Sequence, residues 1–218
     1  MNLPARRLEW LTWAGLALLT LTLLLAFLLA QLKFRAAVGK PLPACGPVAD
    51  FILTNQNGQA VSLADLRGHV WVADIIFTRC PGPCLTMTRQ MKEVQQALPA
   101  ASRTRLITLT TDPDFDSPAV LKTYAERFGA NPNRWQFLTG TKKQLGDLAI
   151  ASLKLTAIEK GPGERQSPDD LFVHSTIFVI VDRRGQLRGI YETAGEGIEW
   201  QKSRAQVLAA IRRLEMER

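Results

Sequence analysis

The chain has 218 residues, 46% of them hydrophobic and 22% charged, with a formal charge of +7. That length suits one well-cored domain plus an additional segment. The basic excess is local: five Lys/Arg face one Glu within residues 1–40, and the other 22 face 19. Such charge flanks a membrane segment. With no basic stripe interleaved with aromatics, it argues against a nucleic-acid face.

Residues 1–10 read as a short basic N-terminus carrying Arg6 and Arg7. Residues 11–32 hold no charge, and about 22 residues at 1.5 Å each reach roughly 33 Å, enough to cross a bilayer core. Trp10 and Trp13 suit one interface. The apolar run is longer than that of a cleaved signal peptide, and Leu-Leu-Ala rather than an A-x-A site precedes Gln31, so it reads as a single uncleaved transmembrane helix. Arg6 and Arg7 nearly balance Lys33, Arg35 and Lys40. A short basic N-terminus ahead of a first helix stays in the cytoplasm, which places the C-terminal part in an oxidising compartment. No Arg- and Ser-rich transit peptide precedes it, which points to a bacterial inner membrane with the C-terminal domain in the periplasm.

Residues 33–48 read as a linker, with Gly and Pro throughout the second half. They include Cys45. As an odd cysteine it is a thiol, an intermolecular partner, an extra metal ligand or simply a tolerated small residue.

From residue 49 to 218 the pattern is that of one folded domain. Residues 49–54 and 60–63 read as strands around Asn55-Gln56-Asn57-Gly58, a hairpin signal. Residues 70–77, VWVADIIF, read as a strand buried on both faces, with Asp74 out of place in it. FTRCPGPC follows, with Cys80 and Cys84 four apart. A helix to about residue 98 carries Met87, Met91, Val94 and Leu98 at apolar spacing. Pro83 suits a first helical position, and Cys84 in the first turn meets N–H groups and a dipole that favour a thiolate.

Residues 105–110 are the next strand. Asp116 or Ser117 caps a helix begun by Pro118 and stopped by Gly129. Residues 135–138 suggest a short strand, 141–151 a helix and 154–158 a strand. Residues 159–170 read as a polar loop that leads to His174. TIFVIV, residues 176–181, is a strand, and Asp182–Gly185 turns it into a second strand over 187–191. Residues 199–214 form a closing amphipathic helix. Strands alternating with helices, then a hairpin and a last helix, give an α/β thioredoxin-like fold: a central mixed sheet flanked by helices, with an N-terminal hairpin.

Two thiols on a strand-to-helix turn are either redox chemistry or a soft-metal site. Of the two histidines, His69 falls at the far end of the buried strand. His174 precedes TIFVIV, beside the cysteine turn if that strand runs antiparallel to the first. Met87 and Met91 read as core.

FTRCPGPC, then TLTTDPDFDSPAVLKTYAERFG, RWQFLTG and HSTIFVIVDRRG, over roughly residues 48–215, resemble the Sco/SenC family. Its members are membrane-anchored, thioredoxin-fold copper chaperones for cytochrome c oxidase. The resemblance implies Cys80, Cys84 and His174 as copper ligands. It also implies the copper-bearing subunit of the oxidase, with its dinuclear copper site, as partner, and a thiol reductant for the cysteine pair. The soft thiolates suit Cu(I), with Cu(II) open, and a carrier needs no turnover chemistry. Three positions depart from the family pattern: Arg79 where His is common, Leu85 where Pro is common, and Val173 where Asp is common. Asp74 resembles the thioredoxin aspartate six residues before the first cysteine, which moves protons during thiol exchange. That keeps open a thiol-disulfide reductase with Cys80 and Cys84 as redox pair and Asp74 as proton relay. Thr78 and Arg79 also raise a peroxidase reading.

Overall fold

A computed structural model of the chain describes residues 5–38, 41–80, 82–165 and 171–217. It comprises two units, residues 1–41 and 42–218.

The first unit is one helix, α1 (Ala5–Val38). Its stretch Trp10–Leu32 is long and apolar enough to cross a membrane by length and composition, and none of it is buried. The hydroxyls of Thr20 and Thr22 donate back to Ala17 O and Leu19 O at 2.9 and 2.8 Å. Polar side chains that bond their own helix leave no donor facing hydrocarbon. Lys40, one of the expected basic flanks, lies outside the described residues.

The second unit is built on an eight-stranded sheet. Its strands are β1 (Gly46–Pro47), β2 (Ile52–Asn55), β3 (Ala60–Ser62), β4 (Trp71–Ile76), β5 (Arg105–Thr110), β6 (Trp135–Thr139), β9 (Ile177–Val181) and β10 (Gln186–Glu192). β7 (Ala157–Glu159) and β8 (Phe172–His174) pair separately. The sheet order is β1-β10-β9-β4-β5-β6-β2-β3. β4 runs parallel to β5 and antiparallel to β9, so β9 begins at the end where β4 finishes.

The helices are α2 (Leu63–Leu66), α3 (Pro83–Ala97), α4 (Pro118–Arg127), α5 (Lys142–Gly146) and α6 (Trp200–Met216). Strand alternation divides the core in two. Val72 and Ile76 of β4 pack with Met87 and Met91 of α3, Leu121 of α4 and Ile211 of α6. Trp71, Ala73 and Ile75 pack with Leu63 of α2 and Leu145 of α5 on the other face. Every residue of β4 is buried, as its apolar run predicts.

Several elements depart from expectation. Gly46–Pro47, within the Gly- and Pro-rich stretch, pair with β10, and the Cys45 N–H donates to Leu187 O at 2.7 Å. The helix over 141–151 is α-helical only to Gly146. Asp147–Ser152 form a π-helical turn, closed by Leu153 N–H to Leu148 O at 3.0 Å. The wider turn keeps Leu145, Leu148, Ala149 and Leu153 all buried. The strand expected over 154–158 is β7, and the expected polar loop contains a 3₁₀ turn, Pro162–Glu164. Its residues 166–170 lie outside the described residues. The β9–β10 turn holds Gly185 at φ 79°, where the Asp182 carboxylate accepts from the Arg184 and Gln186 N–H groups at 2.9 and 3.0 Å.

Candidate functional site

The cysteine turn leaves the C-terminal end of β4. The Cys80 N–H bonds Phe77 O at 3.2 Å, closing the turn. Gly82 caps α3 and Pro83 opens it, as expected for a residue whose missing N–H costs the first helical turn nothing. Cys84 follows within that turn. Its sulfur accepts from the Phe77 N–H at 3.4 Å and lies within hydrogen-bonding reach of the Cys80 thiol. No disulfide joins any of the three cysteines. Cys80 is 6% exposed and Cys84 0%. Pro81 lies outside the described residues.

Electrostatics at Cys84 reverse the sequence expectation. The position in the helix's first turn favours a thiolate, yet burial pushes this thiol far above its ordinary value. The Cys80 thiol pushes the same way and so does the negative charge of Asp74, while the Phe77 N–H opposes them. Desolvation outweighs the helix terminus because the sulfur has no contact with water.

Asp74 is wholly buried on the α3 side of β4, in register with Thr108 of β5. Thr108 donates its hydroxyl to Asp74 Oδ1 at 2.7 Å and accepts the indole N–H of Trp135 at 2.9 Å. Nearby, the Thr88 hydroxyl bonds Cys84 O at 2.8 Å and meets the Tyr124 hydroxyl at 2.9 Å. Burial raises the Tyr124 phenol above its usual range, the Thr88 hydrogen bond opposing. Among the effects that raise Cys84, the Asp74 charge adds least.

The loop between β5 and α4 was missed as part of the site. Ser117 is the cap of α4, accepting from the Val120 N–H at 3.4 Å. Asp116 instead turns inward, 0% exposed. It accepts from the Thr78 N–H at 3.2 Å and from the hydroxyls of Thr78 and Thr110. Burial raises its carboxyl above the usual range; the Thr110 and Thr78 hydrogen bonds oppose this and the charge of Asp112 adds to it. Arg79 bonds Asp112 Oδ2 through Nη2 at 2.6 Å and Nε at 3.2 Å, its guanidinium 4.2 Å from the centroid of Phe115. Thr78 and Arg79 therefore anchor the turn to this loop. The sequence signal was available: Ser117 and Pro118 already supply a helix start, which leaves Asp116 as a surplus carboxylate.

His174 lies on β8, its backbone paired with that of Ala157. It stands three residues before β9, and β9 starts at the cysteine end of β4. Two residues earlier, the Phe172 ring packs edge-on against Phe77, centroids 5.2 Å apart. The backbone thus brings this strand to the turn; the imidazole lies outside what the structure describes. His69 is at the opposite end of β4, its Nδ1 2.9 Å from Arg103 O. Met87 and Met91 are wholly buried. Cys45 is exposed.

Among the described residues, no three His, Cys, Asp or Glu side chains form a metal-holding group. The adjoining sulfurs supply two soft donors, and Cu(I) accepts such a pair with one further ligand.

Comparison with known proteins agrees with this architecture. The sequence model of the SCO1/SenC family matches residues 45–212. A SCO1 protein homolog of Bacillus subtilis (strain 168) is 35% identical over 142 residues, 64% of this chain and 70% of its own length. BsSco, a member of the Sco family of cytochrome c oxidase assembly proteins in which a disulfide switch was identified, superposes with a TM-score of 0.64 at 31% identity, over 79% of this chain and 98% of that one. Copper-bound ScoI of Bradyrhizobium japonicum shares the fold, with a TM-score of 0.61 at 24% identity over 77% and 99% of the two chains. With its thioredoxin-like sheet, its dithiol turn and a match that runs through both, the chain belongs to the SCO1/SenC family.

Proposed function

We propose that this protein is a membrane-anchored copper chaperone. It binds one copper ion through Cys80, Cys84 and His174 and delivers it to the dinuclear copper site of cytochrome c oxidase. In this reading α1 is a single-pass anchor in a bacterial inner membrane and the domain works in the periplasm. Copper is cargo. Cu(I) is the favoured state because two thiolates and an imidazole make a soft three-coordinate set. A thiol reductant keeps the pair ready, since each sulfur must be a thiol before it exchanges its proton for metal.

The observation that carries the reading is the juxtaposed, largely buried Cys80–Cys84 pair at the end of β4 where β9 begins. Family membership adds support, and a member of that family is known with copper bound. Burial also disfavours Cys84 as an attacking thiolate. A thiol-disulfide reductase is the second reading, favoured by one observation: Asp74 is wholly buried in β4 six residues before Cys80, on the face that packs against α3.

The test is copper stoichiometry and Cu(I) affinity of the reduced full chain in detergent, wild type against Cys80→Ser, Cys84→Ser and His174→Ala. One copper per chain, weakened by each substitution, is expected. Unchanged affinity in His174→Ala together with fast dithiol reduction of a protein disulfide gives the reductase reading instead.

A further inference from the structure

The segment TLTTDPDFDSP has no place in the ligand set, yet it makes a connected set of polar contacts to the residues just before Cys80. Two consecutive residues lead into Cys80, and each is held by a different carboxylate from the β5–α4 loop. Thr78 gives Asp116 both its N–H and its hydroxyl. Arg79 gives Asp112 two N–H groups. The two carboxylates are themselves tied together. The Asp116 N–H donates to Asp112 O at 2.8 Å, and Thr110 bonds Asp116 through its hydroxyl while accepting the Asp112 N–H at 3.0 Å. Both are buried, at 0% and 6% exposure, and in that setting charge-assisted hydrogen bonds are strong and directional. The loop is in turn fixed to the sheet, because the Thr111 N–H donates to Ile76 O at 2.8 Å.

We propose that Asp116 and Asp112 are positioning residues for the first sulfur: by clamping Thr78 and Arg79 they hold Cys80 at a fixed separation from Cys84. The need for such a device follows from the turn. Both cysteines lie in the core cluster, but Cys84 is seated within α3 whereas Cys80 precedes the helix, on the turn itself. Metal–ligand distances tolerate only a few tenths of an ångström, so a wandering Cys80 lowers affinity without any ligand being lost. The clamp rests on the chaperone reading for its purpose and on the hydrogen bonds of Asp116 and Asp112 for its existence.

Asp116→Asn tests it. The amide keeps the shape but replaces one acceptor by a donor against groups that already donate. Two measurements are made on the full chain in detergent, with Ile107→Val and Ile107→Ala as controls; Ile107 is buried on the opposite face of the sheet and touches no part of the turn. The first is Cu(I) affinity by chelator competition, expected to fall about tenfold to a hundredfold, as when supporting groups behind metal ligands are removed. The second is the alkylation rate of Cys80 in the reduced, metal-free protein, mapped by mass spectrometry and expected to rise well beyond either control. Thr110→Val should give a smaller change of the same sign. Alkylation no faster than in the Ile107 variants overturns the clamp. A wild-type chain that takes up no copper overturns the chaperone reading, and the alkylation arm still decides the clamp.

Discussion

Phe172 stands against Phe77 at an interplanar angle of 64°, joining the strand that carries His174 to the residue whose N–H and carbonyl frame the two cysteines. This contact couples a segment distant in sequence to the dithiol turn. Phe172→Ala should therefore lower Cu(I) affinity about tenfold while costing the fold only about 1–3 kcal/mol, the range for losing a partly buried aromatic and its edge-to-face partner. Chelator competition and a denaturant melt check both values; an unchanged affinity would show that β8 is held by other means.

Cys84 makes the stability of the reduced protein sensitive to alkali. Its thiol is raised by burial in the folded state, while the unfolded chain ionises near the ordinary value of 9.0. Above that pH the unfolded state loses a proton that the folded state keeps, so stability falls as pH rises and is fully present below it. The slope is about 1.4 kcal/mol per pH unit for one group. Urea melts between pH 8 and 10.5 should show that slope in the wild type and a shallower one in Cys84→Ala. Equal slopes would place the alkaline sensitivity elsewhere.

The Asp74 carboxyl accepts from the β5 hydroxyl of Thr108 at 2.7 Å and is wholly buried on the face of β4 that packs against α3. Asp74→Asn preserves volume and removes the titratable proton. It should slow dithiol exchange at neutral pH by about tenfold or more, in line with loss of a proton-transfer group, with less effect on copper affinity. Stopped-flow thiol exchange and chelator competition on one preparation separate the two. Parallel loss of both, together with a lowered melting temperature, would mean that Asp74 only supports the core.

Arg188 closes the other end of the sheet. It pairs with Asp182 at 2.6 Å and Glu217 at 2.9 Å, and donates to Leu42 O at 2.7 Å. Its side chain is 11% exposed and that of Asp182 10%. Removing one member of such a pair leaves the other's charge uncompensated, so Arg188→Ala should cost about 3–5 kcal/mol. Thermal denaturation measures it, and a loss below about 1 kcal/mol would put this cluster with ordinary surface pairs.

Legibility from sequence tracked how locally each feature is encoded. The β4 run, the Pro83 start of α3 and the apolar face of α6 are set by adjacent residues, and they fold as read. The second face of the site is not local. Asp116 reads as a cap because its neighbours spell a helix start, and only the parallel pairing of β4 with β5 brings Thr78 to it. β8 is three residues long beside a polar stretch, too short for a periodic signal. The helix dipole at Cys84 is legible; the burial that overrules it is a property of the whole core.

The two cysteines are not equally reachable: one keeps a sliver of surface and the other has none. Under the proposed chaperone role, a ligand from an acceptor would meet a bound ion first on the Cys80 side. Handover in that role would then run in a set order, outer bond exchanged first and inner bond surrendered last. Its last step would wait on loosening of the first turn of α3, where Cys84 is buried.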